Sequence, residues 1–272
     1  RHPTHWRGVR RVTSAGAPVP PRVIAGMHTI LDPGVEVFTP YGATECLPVA
    51  VIGSQTILGE TAAATAKGAG TCVGHPVPSV EVRILPISDA VLTDIDEVTP
   101  LPTGAIGEIC VRAPQATAVY FNSPEATAQA KIPAGEDGFF HRMGDVGYRD
   151  EEGRLWFCGR KAHRVVGPEA TWFSIPCEGV FNDHPQVRRS ALLRLGPQGA
   201  ARPALCVELE PGVRWRPSLE AELRQRAQVP PHTSAIDVFL PHASFPVDIR
   251  HNAKIDRLAL SAWAMRRLGI TE

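Results

Sequence analysis

The feature that most constrains this chain is a change of rhythm near Gly159. Up to that point short β-rich runs recur at residues 35–39, 48–52, 80–87, 107–112, 139–143 and 154–158, cut apart by Gly, Pro and Asp. Beyond it the pattern mixes: a helix over 175–184, strands over 187–195 and 204–210, a helix over 218–227, a strand over 236–240 and a last helix over 255–268. Sheet followed by interleaved helix and strand predicts two bodies, each with its own core. The boundary falls at 159–161, giving segments 1–159 and 160–272. At the start, Val12-Thr13-Ser14-Ala15-Gly16-Ala17-Pro18 reads as a strand end entering a small-residue turn, and Pro20-Pro21 opens a helix over 21–31. That opening has the character of the middle of an α/β domain.

The 26 prolines and 24 glycines fit a turn-rich chain, and their lack of period excludes a collagen or a solenoid. Lys and Arg number 28 against 28 Asp and Glu, so the whole carries no electrostatic footprint for nucleic acid or an anionic membrane. Six cysteines lie scattered without a Cys-x-x-Cys pair, which argues against a zinc cage or redox couple and for reduced thiols in a cytoplasmic protein. No run approaches the roughly 20 apolar residues that span a bilayer, so no transmembrane segment is expected. Ten histidines, His141 and His163 among them, show no compact metal-ligand spacing.

Chemistry concentrates at Tyr41-Gly42-Ala43-Thr44-Glu45, where an aromatic, a glycine, a hydroxyl and a carboxylate follow a strand exit. A Tyr ring can stack on a purine, Gly admits close backbone approach, Thr can donate to a phosphate oxygen, and Glu can hold Mg²⁺ beside phosphates. The plain alternative is a glycine turn with a solvated Glu.

Read in order with Gly107-Glu108-Ile109, Gly144-Asp145-Val146-Gly147-Tyr148, Glu152-Gly153-Arg154-Leu155, Gly159-Arg160-Lys161 and Asn252-Ala253-Lys254-Ile255-Asp256-Arg257, that segment resembles the adenylate-forming superfamily. This superfamily includes acyl-CoA synthetases, peptide-synthetase adenylation domains and luciferases. Within it the olefin β-lactone synthetases are resembled through Val12–Pro20, Tyr41–Ala50, His141–Tyr148 and Phe245–Lys254. The resemblance implies an α/β fold: the later part of the large N-terminal AMP-binding domain over 1–159, then a small α+β lid over 160–272. It spans essentially the whole chain but only the later half of such an enzyme. The family's upstream Ser/Thr/Gly-rich phosphate loop ending in Pro-Lys-Gly has no counterpart in these 272 residues.

The roles that the resemblance implies are specific. Tyr41 would stack on adenine, with Gly16, Gly42 and Ala43 lining the nucleotide; Thr44 would contact the α-phosphate and Glu45 would ligate Mg²⁺. Asp145, in a Gly-flanked strand turn, would accept from the ribose hydroxyls, and Arg160 would contact ribose or phosphate just before the hinge. Lys254 would bridge the acyl carboxylate and the α-phosphate. The implied cofactors are ATP and Mg²⁺. The implied substrate is a long-chain 2-alkyl-3-hydroxy acid, closed to a β-lactone in olefin biosynthesis, with a thiolase, an α/β-hydrolase and a reductase as partners.

Two departures from the family pattern stand out. The hinge position usually held by Asp or Lys is Ala162, and Gly167–Glu178 lacks the basic turn of coenzyme A ligases while retaining a helix Glu, Glu178. Two rivals remain: a long-chain fatty-acyl-CoA ligase, in which the acceptor is a thiol, and a noncatalytic adenylate-binding fragment that kept the fold without a phosphate loop.

Overall fold

Alternation of apolar side chains along extended runs builds the first body, and a computed structural model of the chain describes residues 4–248 and 254–270. The strands are β1 (Arg11–Thr13), β2 (Glu36–Ala43), β3 (Cys46–Gly53), β4 (Thr71–Pro76), β5 (Glu81–Leu85), β6 (Gly107–Arg112), β7 (Lys131–Pro133), β8 (Phe139–Arg149) and β9 (Leu155–Arg160). They form one sheet in the order β1-β2-β3-β4-β9-β8-β6-β5, with β7 paired to β8. Only β1 and β2 run parallel; the other pairs are antiparallel.

Strand β6 shows why this sheet is covered on both faces. Ile109 and Val111 point into one cluster with Val49, Val82 and Leu155, while Cys110 points into another with Leu85, Ile132 and Phe140. A period of two distributes them. Pro21 starts the helix Pro21–His28, its missing N–H falling where no helical partner exists.

The expected strands are all present, β6 with unchanged ends and the others of this body with shifted ones, and the structure adds β4, β7, the helix Pro124–Ala130 and a helical stretch between Ser54 and Ala66 that includes a π-helical turn, Ile57–Thr61. This unit comprises the described residues up to Ala62 together with Thr71–Lys161.

The second unit comprises Ala63–Gly70 and the residues from Ala162 onward. It holds a two-stranded ribbon, β10 (Val165–Val166) with β11 (Thr171–Trp172), and a three-stranded sheet, β12 (Val187–Leu195), β13 (Arg202–Leu209) and β14 (Phe239–Pro241), in that order. Helices Ser174–Asn182 and Pro217–Ala227 cover the face bearing Leu192, Leu205 and Val207; helix Arg257–Leu268 covers the face bearing Ala191, Leu193 and Cys206. Strand β12 is an edge, and its outward amides are capped by side chains. Ser190 N donates to Asn182 Oδ1 at 2.7 Å and Leu192 N to Glu178 Oε1 at 2.8 Å. Such capping blunts an edge that would otherwise offer unpaired donors.

Candidate active site

The segment Tyr41–Glu45 is not a strand exit. Strand β2 continues through Ala43, β3 begins at Cys46, and Ala43 faces Cys46, so Thr44 and Glu45 form a two-residue hairpin turn. The register slips between Tyr41 and Ala43, and the slip needs Gly42: a Cβ there would lie 2.5 Å from the Cys46 carbonyl oxygen. The turn leaves Thr44 exposed and Glu45 half-buried.

Asp145 likewise does not occupy a turn. It sits within β8, opposite Arg160 on β9, and is 4% exposed. The flanking glycines serve packing. A Cβ on Gly147 would stand 2.1 Å from the Trp156 carbonyl oxygen, and Gly144, at φ +66°, lies against the Arg160 guanidinium. Glycine inside a strand thus marks close approach.

The Tyr41 hydroxyl donates to Asp145 Oδ2 at 2.7 Å, and Arg160 Nη1 donates to Asp145 Oδ1 at 2.9 Å and to the Met143 carbonyl at 3.1 Å. Three residues predicted from separate motifs therefore meet around one carboxylate. Burial and the Asp145 charge hold the Tyr41 phenol well above its ordinary pKa, so it stays a donor. Its ring lies 5.8 Å from that of Phe157, and half of the Arg160 side chain faces solvent.

A second group, which the sequence reading missed, surrounds Glu45. The Tyr120 hydroxyl donates to Glu45 Oε1 at 2.8 Å, and Thr117 N donates to the Glu45 carbonyl at 2.8 Å. The buried ammonium of Lys131 donates to the Thr117 carbonyl, stands 3.1 Å from His141 Nδ1, and lies 4.9 Å from the Phe139 ring centre and 5.8 Å from that of Tyr120. Burial lowers the pKa of Lys131, with Glu45 opposing; burial, then the Lys131 charge, lowers that of His141. Burial alone would raise Glu45, yet the Tyr120 hydrogen bond and the His141 and Lys131 charges bring it below the ordinary carboxylate value. Tyr120 itself is pushed up to about 12 by burial and by Glu45.

Gly16 lies past the end of β1 with φ +103°, in a bend held where Ser14 N donates to the Phe38 carbonyl of β2 at 3.0 Å. Lys254 belongs to the second unit, where its side chain is exposed and its carbonyl accepts from Asp248 N at 2.9 Å. The neighbouring motif residues Asn252 and Ala253 lie outside the described residues.

Among the described residues no cluster of three or more His, Cys, Asp or Glu could hold a metal ion. A single ionised carboxylate such as Glu45 nevertheless suits Mg²⁺, which keeps waters and takes one or two carboxylates plus substrate phosphates. An ionised carboxylate such as that of Asp145 accepts hydrogen bonds at about four lone-pair sites, which is the chemistry a pair of ribose hydroxyls calls for. No helix among the described residues is long and apolar enough to cross a membrane.

Residues 2–121 match a family described as AMP-binding enzyme. Over 265 residues the chain is 51% identical to the olefin β-lactone synthetase of Xanthomonas campestris pv. campestris, a match covering 95% of this chain and 48% of that protein. The chain thus spans about half the length of the curated relatives it matches. Its fold aligns with the amide bond synthetase McbA of Marinactinospora thermotolerans at a TM-score of 0.73 and 26% identity, covering 93% of this chain and 47% of that one. The o-succinylbenzoate coenzyme A synthetase of Bacillus subtilis, solved with ATP and a magnesium ion, shares the fold at a TM-score of 0.69 and 20% identity, covering 95% and 47%.

Proposed function

Residues 2–121 belong to the AMP-binding enzyme family, and on that premise we propose that the protein containing this chain activates a carboxylic acid with ATP. The observation that carries the reading is the convergence of Tyr41 and Arg160 on the buried Asp145, with Glu45 at the end of the same hairpin that bears Tyr41. Asp145 accepts from the ribose hydroxyls, while Arg160 and Tyr41 fix the carboxylate. Tyr41 presents its ring to adenine, with Gly16, Gly42 and Ala43 beside it, and Thr44 donates to the α-phosphate. Glu45 would hold Mg²⁺, whose charge would offset that of the phosphates. The acid's carboxylate oxygen bonds to the α-phosphorus as the bond to pyrophosphate breaks, giving an acyl-adenylate. Lys254 stabilises the charge developing between carboxylate and phosphate.

For the second step the 51% identity to a β-lactone synthetase supports intramolecular closure. The substrate's 3-hydroxyl oxygen bonds to the activated carbonyl carbon, its proton is lost, and AMP leaves. Tethering supplies an effective molarity that can reach about 10⁵ M or more in well-oriented cases.

The test uses the natural full-length protein with ATP, Mg²⁺ and a 2-alkyl-3-hydroxy acid. AMP release should be indifferent to coenzyme A, with a four-membered lactone visible by its NMR ring protons. Lys254→Ala should slow adenylation by about 10²–10³ while leaving ATP affinity within a few fold, whereas Asp145→Ala should weaken ATP binding. Coenzyme A dependence with a thioester product would transfer the reading to an acyl-CoA ligase; normal adenylation by Lys254→Ala would remove that lysine's role.

A further inference from the structure

The chain segment that carries Lys254 is gripped at both ends by buried carboxylates. On the entering side, Phe245 N donates to Oε2 of Glu208 on β13 at 2.6 Å. Glu208 is 1% exposed, and Arg189 Nε donates to the same oxygen at 2.9 Å while Arg188 Nη1 stands 3.1 Å from the other. Arg189 also lies over the Phe245 ring, 5.2 Å from its centre. On the leaving side, Arg257 Nη2 donates to Oε2 of Glu178 at 2.9 Å, and Arg257 Nη1 pairs with Oε1. Glu178 is 4% exposed and also accepts from the edge amide of Leu192, so it ties helix Ser174–Asn182, strand β12 and the first residue of helix Arg257–Leu268 together.

Between these grips the two arms meet. Val247 pairs with Ile255, Asp248 N donates to the Lys254 carbonyl, and Asp256 N donates to the Pro246 carbonyl at 2.9 Å. Asp256 then caps the helix by accepting from Ala259 N at 3.0 Å. The backbone of Lys254 is thus specified from both directions although its side chain is exposed.

We propose that Glu178 and Glu208 are positioning residues for Lys254, setting where its ammonium stands through Arg257 on one side and Phe245 on the other. The inference rests on the role given to Lys254 above. Glu178 carries the larger share because its ion pair lies three residues from the lysine, and a displacement of about 1 Å can cost about 10²-fold in rate.

The experiment is a double-mutant cycle on the natural full-length protein, read by single-turnover adenylation across a range of ATP concentrations. Glu178→Gln keeps the side chain's shape and its acceptor for Leu192 N but removes the charge facing Arg257. It should lower the adenylation rate by about 10- to 100-fold with the KM for ATP unchanged. Combined with Lys254→Ala it should be no slower than Lys254→Ala alone, because the lysine through which it acts is gone. Glu208→Gln should behave in the same way with a smaller loss. Should Glu178→Gln fail to fold, Arg257→Lys, which keeps the charge but not the fork, is read in the same cycle. A normal rate, or a loss that adds fully to that of Lys254→Ala, overturns the inference while leaving the lysine's role intact. A Lys254→Ala enzyme of normal rate removes that role, and this inference with it.

Discussion

Arg142→Met isolates what a buried charge on β8 contributes, three residues from Asp145. The Arg142 guanidinium makes five hydrogen bonds: two to Glu108, and one each to the carbonyls of Ser88, Ala90 and Gln129. Its side chain is 3% exposed and that of Glu108 1%, so neither charge has water to fall back on. Met fills similar length without charge, leaving the Glu108 carboxylate with Lys161 Nζ, 3.1 Å from Oε1, as the remaining cation of this network. Breaking a buried pair from one side typically costs about 3–5 kcal/mol; with Lys161 retained, the loss should lie near the lower end, about 3 kcal/mol. For a domain of this size that is a drop of about 6–12 °C in Tm. Thermal and urea unfolding measure it, with Arg202→Met as the control. The partner of Arg202 is the exposed Asp237, and that loss should stay below about 1 kcal/mol. Adding Glu108→Gln to Arg142→Met should recover part of the stability, since no buried charge is then orphaned. If Arg142→Met costs no more than the surface control, the network is not what holds residues 88–90 against β8, and the reasoning fails.

Tyr120→Phe removes the hydroxyl that donates to Glu45 and should raise the Glu45 pKa, moving the acid limb of ATP-dependent activity in the full-length protein to higher pH. Because the folded-state pKa is depressed, the stabilisation from Glu45 is present above its unfolded value and lost as pH falls through the folded one. Wild type and variant should therefore converge in stability in acid, and an unmoved acid limb with parallel stability curves would contradict the pairing. All six cysteines are buried free thiols, and burial raises the Cys206 pKa to about 12. A disulfide reagent should titrate six thiols only after denaturation, and rapid reaction of the native protein would contradict their burial.

Much of this arrangement was legible because periodicity reports burial directly. The run 107–112 coincides with β6, and 187–195 with β12, since both strands alternate apolar residues between two covered faces. Strand β4 was not legible: Thr71-Cys72-Val73-Gly74-His75-Pro76 contains a glycine at φ +86° and ends in proline, both of which read as breaks. Asp145 was misread for the same reason, its neighbouring glycines signalling a turn where they admit Arg160 and the Trp156 carbonyl. The motif residues Tyr41, Asp145 and Arg160 could be named from the family resemblance, but not the hydrogen bonds among them. Tyr120 and Lys131 carry no local pattern, and His141, at the head of the segment His141–Tyr148, carries none that points to Glu45. Lys131 and His141 are brought together by the antiparallel register that sets them opposite each other, and Tyr120 meets Glu45 from a loop 75 residues away, neither of which local sequence reveals.

The two-residue turn at Thr44 and Glu45 has a consequence for anyone splicing or lengthening this protein. Its arms pair in one register from Phe38–Gly53 to Tyr41–Ala50 and, past the slip at Gly42, meet again at Ala43–Cys46, with side chains alternating faces along the regular stretch. One residue inserted at the tip would leave two outcomes. Either the tip bulges and Glu45 leaves Tyr120, or one arm slides and every side chain on it changes face. The hairpin therefore acts as a ruler whose unit is a single peptide bond: the spacing of Tyr41 and Glu45 is a property of chain length as much as of residue identity. Graft points and cut sites belong elsewhere, away from this turn.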